Sequence, residues 1–151
     1  MKVIIGSDHN GYRLKEAIKN VLKEKGVDHF DEGVMDENPV DYPDIAEQVA
    51  QKIVSGAFDR GILICGTGIG MAIAANKVAG IRAAVCHDLY STERSRKSNN
   101  AQIMAMGAQV IGESLAKSLV SVWLQCEFAG GPSVTKVDKI SAIEARCFRC
   151  K

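Results

Sequence analysis

Short apolar runs alternate with amphipathic stretches along almost the whole chain. Strand-like runs are predicted over residues 2–6, 28–31, 61–65, 81–86 and 102–106, each followed by a helix-like segment. Leu14, Ile18, Val21 and Leu22 share one helical stripe, and Ile45, Val49 and Ile53 share a second that opens near Asp41 and Pro43. Residues 71–77 are Ala-rich and free of proline. Leu115, Leu119, Val122 and Trp123 make a further stripe, and Val137, Ile140 and Ile143 mark a terminal helix after the Gly130-Gly131-Pro132 break. Strands alternating with helices imply βαβ units with right-handed crossovers. The expected architecture is α/β: a Rossmann-like, three-layer α/β/α arrangement with a five-stranded parallel sheet, in a single domain over 1–151.

Length and charge narrow the partners. A chain of 151 residues can bury a core without staples. Its 19 basic and 18 acidic residues leave a net charge of +1, which lacks the footprint of a nucleic-acid binder. The first residues enter a strand pattern with no apolar leader, and no run approaches the roughly 18 apolar residues of a membrane span. No membrane partner and a cytoplasmic location are expected. Cys65, Cys86 and Cys126 sit in or beside apolar elements, as reduced thiols would. Cys147 and Cys150 form a C-x-x-C with no second pair or histidine cluster, so no metal site is expected within one chain.

In parallel α/β sheets ligands sit beyond the carboxyl ends of the strands. That rule collects Ser7-Asp8-His9, the turn from Cys65 to Gly70, and His87-Asp88. Gly66, Gly68 and Gly70 alternate, so their N–H groups can converge on an anion at the start of a helix. The turn lacks both the G-x-G-x-x-G spacing of a dinucleotide site and the Gly-Lys-Ser/Thr of a P-loop. A small anionic metabolite remains. Cys65 either closes a strand as a small apolar residue or, facing backbone donors, is a thiolate able to move a proton. Thr67 favours the second reading, because its hydroxyl can polarise an oxygen on which charge develops.

Ser7-Asp8-His9, Asp41-Tyr42-Pro43-Asp44, the run from Gly61 to Gly70, Ala74-Ala75-Asn76-Lys77 and Gly80-Ile81-Arg82-Ala83 closely resemble the type B ribose-5-phosphate isomerases and the related galactose-6-phosphate isomerase subunits. The resemblance covers nearly the whole chain. It implies a cofactor-free aldose–ketose isomerisation through a cis-enediolate, with Cys65 carrying the proton between C1 and C2. Thr67 and the N–H groups around Gly66, Gly68 and Gly70 would then stabilise the enediolate oxygen. Asp8 and His9 would handle substrate hydroxyls or phosphate, and Asn99 matches a substrate-binding asparagine. Two purely structural roles stand beside these: Asp8 as a cap of the first helix, and His9 as a stiffener of its loop. Family members are dimers or tetramers with shared sites. Ser98, Asn99 and Asn100 precede the fifth strand and are therefore expected at the opposite sheet edge from Cys65, to be completed by a homodimer or tetramer partner.

Three departures fall where the family selects substrate. Ser98 replaces a histidine credited with ring opening, Gln109 stands where arginine is common, and Gly130 to Lys136 loses one phosphate arginine and replaces another with Lys136. Lys136, His9 and Arg13 are the candidate phosphate anchors. Arg94, Arg96 and Lys97 read as a solvated helix face, and His87 as a pocket wall or loop residue. The leading substrate is ribose 5-phosphate. A tetrose 4-phosphate is the alternative: it cannot close a five-membered ring and needs no ring-opening acid, and residues 90–94 and 98–102 resemble the tetrose-phosphate branch. A catalytically silent sugar-phosphate-binding subunit is the third reading.

Overall fold

In the computed structural model, which describes residues 1–148, the strands are β1 (Lys2–Ser7), β2 (Asp28–Asp31), β3 (Arg60–Cys65), β4 (Ala83–Val85) and β5 (Ile103–Gly107). All pairings are parallel, in the order β2-β1-β3-β5-β4. Every residue of β3 is buried, which is why its sequence after Arg60 is a continuous apolar run rather than an alternation. β2, at one edge, alternates exposed and half-buried positions. Register fixes what matters for chemistry. Ser7 stands beside Ile64, and Cys65 beside Gly107, so the carboxyl ends of β1, β3 and β5 finish level.

Helices cover both faces: α1 (Tyr12–Glu24), α2 (Tyr42–Val54), α3 (Ile69–Ala75), α4 (Leu89–Lys97), α5 (Glu113–Gln125) and α6 (Val134–Phe148). On one face Leu14, Ile18 and Leu22 of α1 and Leu119 and Trp123 of α5 bury against Ile62, Ile64 and Met104. On the other, Ile45, Val49 and Ile53 of α2 and Met71 and Ala75 of α3 bury against Ile4, Leu63 and Ile103. Each such aliphatic side chain contributes about 1.5–3 kcal/mol when fully buried. None of the described helices is long and apolar enough to cross a membrane.

Four expectations need correction. The fifth strand is interior and β4 takes the edge, so Ser98 and Asn99 do not lie at the far edge of the sheet. They lie at the end of α4, which runs back from the carboxyl end of β4 toward the amino ends of the strands. Arg96 is not solvated: it is buried, with a backbone carbonyl at 2.7 Å. Leu115 is exposed, and α5 buries Ala116, Leu119, Val120, Trp123 and Leu124 instead. Of the terminal stripe only Val137 is buried, and Ile140 and Ile143 are about half exposed (46% and 52%). Cys65, Cys86 and Cys126 are buried free thiols and Cys147 an exposed one. Cys150, and with it the C-x-x-C pairing, lies outside the described residues.

Candidate active site

The strand-to-helix turn after β3 is built around one sulfur. Cys65 is the last residue of β3, 5% exposed, and its Sγ accepts the Gly68 backbone N–H at 3.1 Å. Gly68 has φ +77°, the left-handed region, and a Cβ there would lie 2.8 Å from the Met106 carbonyl carbon. Only glycine reaches that position, and the turn curls tightly enough for its N–H to meet the thiol. The sulfur therefore has one backbone donor fixed on it.

The turn is less open than an anion nest made only of backbone. Gly68 N–H is directed to Cys65, and Ile69 N–H is donated to Thr67 Oγ1 at 3.3 Å. Thr67 itself is exposed, so its hydroxyl stands at the rim while the thiol lies at the floor. Gly66 leaves room for Gln109, whose Oε1 would be 3.2 Å from a Cβ at that position. Gly70 does the same for Tyr42, whose ring atoms would be 2.5–2.7 Å from an added Cβ. Gly66 and Gly70 thus admit the side chains of Gln109 and Tyr42, while Gly68 admits the backbone of β5.

The loop after β1 closes beside it. Asp8 donates its N–H to the Ile64 carbonyl at 3.3 Å, one residue from Cys65. Its Oδ1 accepts Gly11 N–H at 3.0 Å and caps the short 3₁₀ turn His9–Gly11, leaving Oδ2 with a weak 3.4 Å contact to Asn10. The capping role is therefore real, and one carboxylate oxygen retains acceptor capacity. His9 is half-buried; its Nδ1 accepts Val40 N–H at 3.3 Å and its Nε2 lies 3.0 Å from Asn10 Nδ2. Asn10 in turn accepts from Gln109 Nε2 at 3.4 Å. Val40, His9, Asn10 and Gln109 thus form a polar chain linking three loops around the thiol. His87 Nε2 accepts Gly107 N–H at 2.9 Å and so braces the end of β5 opposite Cys65. Asp88 caps α4 through Ser91, whose backbone N–H holds its carboxyl below the usual range.

The structure therefore gathers Asp8, His9, Cys65, Gly66, Thr67, Gly68 and Gly70 with His87 and Gln109, both already singled out in the sequence, and adds Asn10 and Tyr42. Tyr42 had a sequence signal only in the run Asp41-Tyr42-Pro43-Asp44, and Asn10 had none. The β5–α5 loop was not among the three loops that strand order alone collected, because β5 was not expected beside β3. Ser98, Asn99 and Lys136 are not brought to the thiol. Ser98 and Asn99 lie at the amino ends of the strands, separated from Cys65 by the length of β5, about 15 Å at roughly 3.3 Å per residue. Lys136 is exposed on the first turn of α6. Arg13 is exposed and paired with Glu37 at 2.5 Å.

Comparison with known proteins is consistent across sequence and fold. A family model described as Ribose/Galactose Isomerase matches residues 3–140. The chain is 55% identical to a ribose-5-P isomerase B of Listeria innocua, over 97% of this chain and 99% of that one. It is 51% identical to a D-erythrulose-4-phosphate isomerase of Pectobacterium atrosepticum, over 95% of each. The solved ribose-5-phosphate isomerase B of Clostridium thermocellum superposes with a TM-score of 0.95 at 51% identity, covering 97% of this chain and 99% of that one.

Proposed function

Because the chain belongs to the ribose/galactose isomerase family, we propose that it interconverts the aldose and ketose forms of a small sugar phosphate, with ribose 5-phosphate and ribulose 5-phosphate as the leading pair. The observation that carries the chemistry is the buried Cys65 thiol accepting Gly68 N–H at the floor of a turn rimmed by Thr67. Cys65 as thiolate takes the proton from C2 of the aldose and returns it to C1, while a second proton passes from O2 to O1. C1 is reduced as C2 is oxidised within one molecule, so electrons balance without a redox cofactor. The intermediate is a cis-enediolate, and Thr67 with the Gly66–Gly70 backbone flanks its charged oxygen. Asp8 Oδ2, held only by the 3.4 Å contact from Asn10, receives a substrate hydroxyl, and His9, fixed by Val40, faces the polar end of the sugar.

Ser98, Asn99 and Lys136 act in a neighbouring copy's site. Their separation from Cys65 along the strands supports this, as does the apolar face of α6, where Val134, Ile140 and Ile143 stay 40–52% exposed in a single chain. A symmetric homodimer, or a tetramer built from it, covers that face and completes each site. Full activity in a monomer, measured by sedimentation beside turnover, would overturn the shared site.

A tetrose 4-phosphate is the second reading. It is favoured by the relative named D-erythrulose-4-phosphate isomerase and by Ser98, a residue unable to act as a ring-opening acid–base at neutral pH. Turnover of ribose 5-phosphate against erythrose 4-phosphate and erythrulose 4-phosphate decides between them. A ribose preference above about a hundredfold in kcat/KM ends the tetrose reading, and a tetrose preference of that size reverses the order. Isomerisation of none of the three would refute both.

A further inference from the structure

Two of the three places where this chain departs from its family, Ser98 and the segment Gly130 to Lys136, adjoin one cluster in which two buried arginines share the exposed carboxylate of Glu127 (76% exposed). Arg96 is 6% exposed and donates to Ala101 O at 2.7 Å and to Asn100 Oδ1 at 3.2 Å. Asn100 has φ +48°, the one described non-glycine residue with positive φ, and its carbonyl accepts Arg82 Nε at 3.1 Å. Such a conformation persists where its surroundings over-determine it. The other side of Arg96 faces Glu127 Oε2 at 3.5 Å. Glu127 also binds Arg60, itself 3% exposed, which donates further to the carbonyls of Trp123 and Cys126. Ala129 N–H is donated to Lys97 O at 3.0 Å, tying the strand of chain that leads into α6 to the end of α4. A buried guanidinium is costly unless its donors are met; Arg96 Nη1 is met by these acceptors, while its Nε is buried without a hydrogen-bond partner.

We infer that Arg96 is a positioning residue for the isomerase site of a neighbouring copy: it fixes the left-handed Asn100 turn that presents Ser98 and Asn99, and through Glu127 it fixes the segment that presents Lys136. The inference rests on the shared-site reading above. Arg96 touches no reacting atom of its own chain's turn. Its loss therefore weakens sites built on other subunits while leaving the Cys65 half of its own subunit intact.

Subunit complementation tests this. Arg96→Met raises KM for the sugar phosphate about tenfold or more, with kcat changed less than about threefold. When Arg96→Met and Cys65→Ala chains carrying different tags are co-expressed and assemblies bearing both tags are isolated, activity at substrate well below the wild-type KM returns to about a quarter to a half of wild type, because one class of site is free of both defects. Asn100→Ala, which removes the acceptor and strains the turn without touching the core, behaves the same and covers a folding failure of Arg96→Met. Asn99→Ala paired with Cys65→Ala is the control. If the Asn99 pair complements and neither the Arg96 nor the Asn100 pair does, the inference on Arg96 fails and the shared site stands. If no pair complements, the shared site itself fails and takes the inference with it. Wild-type KM in both Arg96→Met and Asn100→Ala also overturns it.

Discussion

Gly68→Ala tests the link between backbone geometry and chemistry more sharply than any substitution of a charged group. Gly68 has φ +77°, and an added Cβ would lie 2.8 Å from Met106 C and 3.0 Å from Met106 N and O. Those atoms belong to β5, an interior strand that cannot retreat. The left-handed backbone alone costs an alanine about 1–2 kcal/mol, and the steric overlap adds about 1–3 kcal/mol. Gly26 provides the subtraction: its φ is +64° and nothing lies within 4 Å of an added Cβ, so Gly26→Ala carries the backbone cost alone. Urea unfolding at one fixed protein concentration should place Gly26→Ala about 1–2 kcal/mol below wild type and Gly68→Ala about 2–5 kcal/mol below. The overlap is relieved only by rotating the turn, which takes the Gly68 N–H away from Cys65 Sγ. Folded Gly68→Ala is therefore expected to lose about a hundredfold or more in kcat, as when one preorganised donor is removed, whereas Gly26→Ala keeps wild-type kcat. Equal stability of the two variants, or wild-type kcat in folded Gly68→Ala, would refute the reasoning.

Two further outcomes concern the buried ion pair behind the His9 loop. Lys15 is fully buried, with Asp31 oxygens at 2.7 and 2.8 Å and Val34 O at 2.6 Å, so Lys15→Met should cost about 2–4 kcal/mol in denaturant midpoint analysis; the low end reflects Lys19, which stays 2.7 Å from Asp31. Burial pushes the Asp31 carboxyl upward, but hydrogen bonds from Lys15, then Lys19, then Gly33 N–H outweigh it and hold it below the usual range. Its folded value is the lower one, so its stabilisation is complete above the ordinary carboxylate value of about 4 and is lost as pH falls below that. Asp31→Asn should accordingly be less stable than wild type at pH 7 and lose less on acidification in thermal melts; a parallel acid limb would remove Asp31 from the account.

The strands were legible because parallel, doubly covered strands read as apolar runs, β3 most plainly. The Cys65 turn was legible because glycine at alternate positions has few uses other than close approach. Strand order was not, since adjacency of β3 and β5 depends on crossovers spanning dozens of residues rather than on any local pattern. With β5 inside, Ser98 and Asn99 are distant from Cys65 along the strands rather than across the sheet. Arg96 escaped because α4 buries polar side chains that satisfy themselves on carbonyls: Thr92 on Asp88 at 2.6 Å, Ser95 on Thr92 at 2.7 Å and Arg96 on Ala101 at 2.7 Å. No hydrophobic period announces such a helix. The reverse holds for α6, whose apolar stripe was read correctly as a pattern but is covered within the chain only at Val137.

The central claim is that Cys65 carries the proton. Incubating ribose 5-phosphate, and in parallel erythrose 4-phosphate, with the protein in deuterium oxide and following label at C1 of the ketose product by NMR tests it directly. Wild type is expected to incorporate deuterium at C1 and to isomerise the substrate, while folded Cys65→Ala does neither above the uncatalysed rate. Isomerisation with label incorporation that persists in Cys65→Ala would contradict the account.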